Sequence, residues 1–167
     1  MKRLTFISEA ALVALLLGCA STTEVVRAPV GPNSLRPTTP TTPVAQVQVF
    51  SALVAHAEGD NPTWYRHADY WICDAQEKRI KHVDNATGHY ERAPRFISLP
   101  PGRYFIRAPA KNYLTVEVPV VIQSGRLTRI HLDGEWRPPA DTSGAKLVTL
   151  PNGYPIGWRA GPAKAAG

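Results

Sequence analysis

Five histidines and two cysteines carry the most reactive side chains of this 167-residue chain, and their spacing decides which chemistry is open to it. His56, His67, His82, His89 and His131 show neither the i, i+4 spacing of a helical metal site nor a close pairing with cysteine. A bound metal needs three or four converging ligands. His56, Asp60 and His67 flank one loop and come nearest to such a set, but loop histidines without a partner pattern read as solvated side chains, and no metal or cofactor is expected. Ser51, Ser98, Ser124 and Ser143 stand in no G-x-S-x-G elbow, and no glycine-rich phosphate loop occurs. Asp69 with Asp74, or Glu91 with Glu117, could form a carboxylate pair, as could two acids on any acidic surface. No catalytic residue is assigned.

The aromatic residues offer binding chemistry instead. Trp64, Tyr65, Trp71, Trp136, Tyr154 and Trp158 fall near expected strand ends and loops. There a flat ring with a polar tip can stack on a sugar face or anchor a protein interface. Against this, Trp71 reads equally as core, Trp158 as a pin for a terminal hairpin and Trp64 as a cap. What remains is a binding edge made by the loop from His56 to Arg66 together with Trp136, with Trp64, Tyr65 and Trp136 as its contact residues.

The elements that must position these residues are strands. From Leu114 to Ile122, valine and isoleucine alternate with Thr115, Glu117, Pro119 and Val121, the period of a strand with one buried face. Pro119 lacks a ladder donor, which assigns this strand to an edge or a bulge. Pro100, Pro101 and Gly102 form a turn before it, leading into Tyr104 to Ala108. Gln123 to Gly125 turn the chain back into Thr128, Ile130 and Leu132. Earlier, Val47, Val49, Ser51, Leu53 and Ala55 share one face of a first strand, and Ala68 to Ala75 and Arg79 to Val83 supply two more. Asn152-Gly153 marks a hairpin between Lys146 to Leu150 and Tyr154 to Trp158, placed to cover an open edge. Short strands separated by turns about every ten residues predict an all-β fold, a single antiparallel β-sandwich.

The run from Leu99 to Asp133, with P-x-G-x-Y at a strand start, the valine strand and the return G-R-x-T-x-I-x-L, resembles carboxypeptidase regulatory-like domains and the related PEGA-type modules. The resemblance implies a transthyretin-like (prealbumin-like) sandwich used as an accessory domain, and says little about function.

At the amino terminus, Lys2 and Arg3 precede an apolar run from Ala10 to Leu17, too short to span a membrane as a mature helix, which is the pattern of a signal peptide. Leu16, Leu17, Gly18 and Cys19 resemble the lipobox of bacterial lipoproteins. That resemblance implies cleavage after Gly18, a lipid on Cys19 and, with Ala20 rather than aspartate next, an outer-membrane destination. The expected organisation is a signal segment 1–18, a lipidated Thr/Pro-rich tether 19–43 reaching some 70 Å at most, a sandwich domain 44–134, a hairpin extension 135–158 and a disordered tail 159–167. With one cysteine lipidated, Cys73 is left as a small buried group, or as an intermolecular link if exposed.

The formal net charge of +6 draws the protein toward anionic partners, but no run of five like charges occurs. Lys78, Arg79, Lys81 and His82 form the densest basic patch. Nucleic acid is not expected as a partner in the compartment such a signal reaches. The expected function is a non-catalytic, lipid-anchored envelope module that binds a protein or a glycan. The alternatives are an envelope enzyme acting on cell-wall or surface polysaccharide and a purely structural spacer.

Overall fold

Two long strands joined by a two-residue turn set the frame: β9 (Gly102–Ala110) and β10 (Tyr113–Ile122) pair antiparallel around Lys111 and Asn112. Asn112 takes a φ of 69°, a left-handed conformation that asparagine tolerates. A computed structural model describes residues 23–33, 45–57, 63–85 and 93–161, and the expected signal segment 1–18 and Cys19 lie outside these.

Val116, Val118, Val120 and Ile122 are buried as the alternation requires. Leu114, expected on the same face, is instead 92% exposed, because the pairing with β9 slips between Tyr113 and Val116 and turns the strand's first residues outward. Pro119 does not place β10 at an edge. β10 runs inside an eight-stranded sheet of order β12-β13-β2-β10-β9-β6-β7, with β1 also on β10. Here β1 is Glu24–Val25, β2 Val30–Gly31, β6 Tyr70–Cys73, β7 Arg79–Val83, β12 Leu147–Thr149 and β13 Pro155–Arg159. β1 pairs with Val116 and Glu117, and β2 with Val120, so Pro119 falls where the ladder on that side is already interrupted.

This placement corrects the expected tether. Residues 23–31 are part of the body: Val26 and Val30 are buried in the core, and β2 is clamped between β10 and β13. The remaining Thr/Pro-rich stretch, 34–44, lies outside the described residues, but its flanks converge. Arg126 donates from Nη2 to the Asn33 carbonyl at 3.2 Å and accepts at its own carbonyl from the Gln46 N–H at 3.0 Å. Residues 23–33 thus belong to the body and are not a spacer ahead of it. At the other terminus Arg159 pairs with Val30 and the Ala160 N–H reaches Pro29 O at 2.9 Å, so order continues past the expected boundary at 158.

A second sheet, β11-β3-β8, contains β11 (Leu127–His131), β3 (Gln46–Phe50) and β8 (Phe96–Ser98). One continuous core joins the sheets: Val47, Val49, Ile97 and Ile130 from the smaller with Ile72, Ile106, Val118 and Ile156 from the larger. The sheets are mixed and not purely antiparallel, since β1 and β2 run parallel to β10 and β11 runs parallel to β3. The first strand also ends sooner than expected. After Ser51 and Ala52 the chain leaves for a separate hairpin, β4 (Leu53–His56) with β5 (Trp64–His67), and Leu53 and Ala55 become exposed. Ser51 fixes this exit: its Oγ donates to Ala68 O and accepts from Asn85 Nδ2 at 3.1 Å.

Cys73 is a buried free thiol whose pKa is pushed up, chiefly by burial. Trp71, expected in the core, lies on the outer face, 4.7 Å from the His82 ring and beneath the Arg79 guanidinium at 5.1 Å. The C-terminal hairpin closes at residues 151–153 and docks β13 on β2, extending the large sheet.

Because Val30 is fully buried, Val30→Ala should lower the unfolding free energy by about 2 kcal/mol in urea titrations. An unchanged midpoint would mean that residues 23–31 contribute nothing to the fold.

Candidate functional site

β11 presents two faces of different character. Thr128 and Ile130 are buried, and Leu127, Arg129 and His131 alternate with them on the outward side. His131 lies between two rings: Phe50 stacks on one face at 4.5 Å and Trp136 on the other at 4.9 Å, with interplanar angles of 18° and 9°. Trp136 reaches this position because the chain reverses after β11. Gly134 adopts a φ of +77° at that reversal, and Asp133 Oδ1 accepts the Glu135 N–H at 3.2 Å. Trp158 of β13 meets Trp136 edge-on at 6.1 Å. β13 can approach this closely because residue 157 is glycine: a Cβ there would stand 2.7 Å from Val30 Cγ1 and 3.0 Å from Arg129 O.

Three arginines join these rings along one groove of about 520 Å³. Arg129 Nε is held by Gln48 Oε1 at 3.2 Å, and Gln48 is itself fixed through Nε2 to Pro94 O. Arg126 bonds to Gln123 Oε1 and Asn33 O. Arg137 folds back to donate to the carbonyls of Gly134 and Trp136. Among the described residues, neither Arg129 nor Arg137 forms an ion pair. The groove thus combines guanidinium donors with open indole faces, a surface for an anionic ligand that also offers a flat apolar face. His131 adds no charge near neutrality. Burial, and then the charges of Arg129 and His67, push its pKa down to about 4.

In a second charged hollow, of about 540 Å³ on the outer face of the large sheet, the central arginine is paired with carboxylates. Arg107 and Glu117 stand opposite each other across β9 and β10. The Arg107 Nε donates to the buried Glu117 carboxylate, and Nη2 reaches Glu77 at 3.1 Å. This network engages the Arg107 guanidinium and the Glu117 carboxylate within the sheet itself.

The expected contact residues are divided between two places. Trp64 and Tyr65 lie on β5 and not in a loop; Trp64 meets His56 edge-on at 4.9 Å, and Tyr65 lines a hollow beside Leu114. Trp136 lines the arginine groove instead. Asp60, His89 and Glu91 lie outside the described residues. His56 and His67 sit at opposite ends of the β4–β5 hairpin, opposite Trp64 and Leu53 respectively, and so do not converge. His67 Nδ1 contacts the Ser51 carbonyl at 2.6 Å and not its hydroxyl, so Ser51 has no base. Asp69 and Asp74 flank β6 and accept backbone N–H groups. Ser143 and Lys146, spaced as S-x-x-K, are exposed on a 3-10 turn, with nothing that would desolvate the lysine.

Sequence reasoning passed over Arg126, Arg129, Arg137 and His131 as ligand contacts and took Trp158 only for a pin. The alternation of β11 places Arg129 and His131 outward, but only the pairing of β13 with β2 brings Trp158 to them. No family model, no curated protein and no solved structure matches the chain.

The depressed His131 pKa links stability to pH. His131 is neutral when folded and protonates near 6.5 when unfolded, so its contribution is present above 6.5 and is lost as pH falls toward 4. His131→Phe, which keeps the stack, should reduce the drop in melting temperature between pH 7 and pH 4.5. Asp133, whose carboxyl pKa is raised by burial, works in the opposite direction in both proteins and cancels from the comparison.

Proposed function

We propose that this protein is a non-catalytic, lipid-anchored module of the bacterial cell envelope, a transthyretin-like β-sandwich that binds an acidic glycan along the groove beside β11. The observation that carries the reading is the groove itself: Arg126, Arg129 and Arg137 beside the Phe50–His131–Trp136 stack, with no carboxylate among the described residues paired to Arg129 or Arg137. Arginine forks suit a carboxylate or phosphate, and the indole of Trp136 suits the apolar face of a sugar ring. A mixed pair of sheets sharing one core supports the sandwich reading. Attachment rests on Leu16 to Cys19, with Ala20 favouring the outer membrane.

Calorimetric titration with a uronic-acid oligosaccharide, a sugar phosphate and the neutral counterpart of each tests the binding. The acidic ligands should bind, the neutral ones more weakly, and added salt should weaken the difference. Arg129→Ala and Arg137→Ala should each raise Kd about 10-fold, corresponding to about 1.5 kcal/mol for a charged hydrogen bond, and Trp136→Ala should do so without altering the salt dependence. Equal affinity for acidic and neutral sugars would overturn the reading.

Attachment has its own test. Cys19→Ser should release the protein from membrane fractions, and its retention there would count against the lipid.

A further inference from the structure

We propose that the end of the molecule formed by Leu53, Tyr65 and Leu114 rests on the bilayer that holds the acyl chains of Cys19. The inference builds on the lipid-anchor reading and adds an orientation to it. Leu114 is 92% exposed, Tyr65 64% and Leu53 40%; they come from β10, β5 and β4 and line one open hollow of about 750 Å³. Large apolar side chains gathered from three elements and left to water mark a contact surface.

The path of the chain identifies what they contact. β1 runs parallel to β10 with Glu24 beside Val116, so the polypeptide enters β1 from the Tyr113–Leu114 end. Thr23 is already part of the body, lining a hollow together with Thr115. Only four peptide steps separate it from Cys19, at most about 15 Å even fully extended. An acyl chain on Cys19 therefore holds the Leu114 end of β10 within reach of the lipid, and the turn at the far end of that strand out of it.

Side-chain chemistry agrees. Tyr65 has the amphipathic ring that settles at a headgroup boundary, and Lys111 supplies a cation on the same rim. Glu135 and Asp133 line the hollow as well, so the contact is one of apolar burial and not of a basic patch. The turn at Ser124 sits at the opposite end of β10, roughly 30 Å away along a ten-residue strand. Arg126, beside that turn, places one end of the groove away from the membrane.

Full-length acylated protein in phosphatidylethanolamine and phosphatidylglycerol vesicles, labelled through Leu114→Cys or Ser124→Cys with an environment-sensitive dye, tests the orientation. Both positions are exposed, so neither substitution threatens folding, and Cys73 is buried from the reagent. Emission from position 114 should shift to the blue and be quenched severalfold more by lipid-borne quencher than emission from position 124. Equal quenching in protein shown by mass to be acylated would overturn the orientation alone. Absence of the acyl mass on the residue-19 peptide would overturn the anchor and the orientation with it. A blue shift that persists in detergent and grows with protein concentration would assign the patch to a second copy of the chain and overturn the proposal.

Discussion

A ten-residue strand buried on one face must satisfy its backbone along both edges, and in this protein that requirement falls on β10. Unpaired N–H and C=O groups beside Val116, Val118 and Val120 would each cost about as much as a lost hydrogen bond. β9 covers one edge. The other is covered by β1 and β2, laid parallel, and β2 is in turn covered by β13 from far along the chain. The large sheet is therefore extended past β10 by segments from opposite ends of the sequence, with β2 on β10 and β13 on β2. The position of Trp158 beside the arginines follows from that meeting.

Local pattern made part of this legible. The β9–β10 pair, the buried face of β11 and the Asn-Gly hairpin each join neighbours in sequence, and alternation with turn chemistry reports neighbours. The same pattern says nothing about β1 and β2. Two residues each are too few to show a period, and proline and threonine around them read as linker. Parallel pairing escaped for the same reason, since strands joined by long crossovers have no turn to announce them. Leu114 shows the limit from the other side: the period was right along β10, but a slip of register at its start sent one leucine to the wrong face.

The groove was legible only in fragments. Trp136 stands out by residue type, but its ring partners His131 and Trp158 come from β11 and β13, which spacing alone does not bring together. The distribution of charge separates the two hollows more clearly than their shapes do. On the outer face of the large sheet, Glu117 and Glu77 neutralise Arg107, so the charges there hold the sheet together. Beside β11 the guanidinium groups lean on neutral amides and carbonyls, an arrangement that keeps their donors oriented without consuming their charge.

The clamping of β2 also bears on the order of assembly. Val30 finds its partners at Val120 and Arg159, so β2 is paired along both edges only after nearly the whole chain has emerged. Contacts of such long sequence separation slow folding, because loop closure must precede the gain in burial. Until β13 arrives, β2 is paired on one edge only, along β10, so the large sheet completes its assembly last where the amino- and carboxy-terminal strands meet.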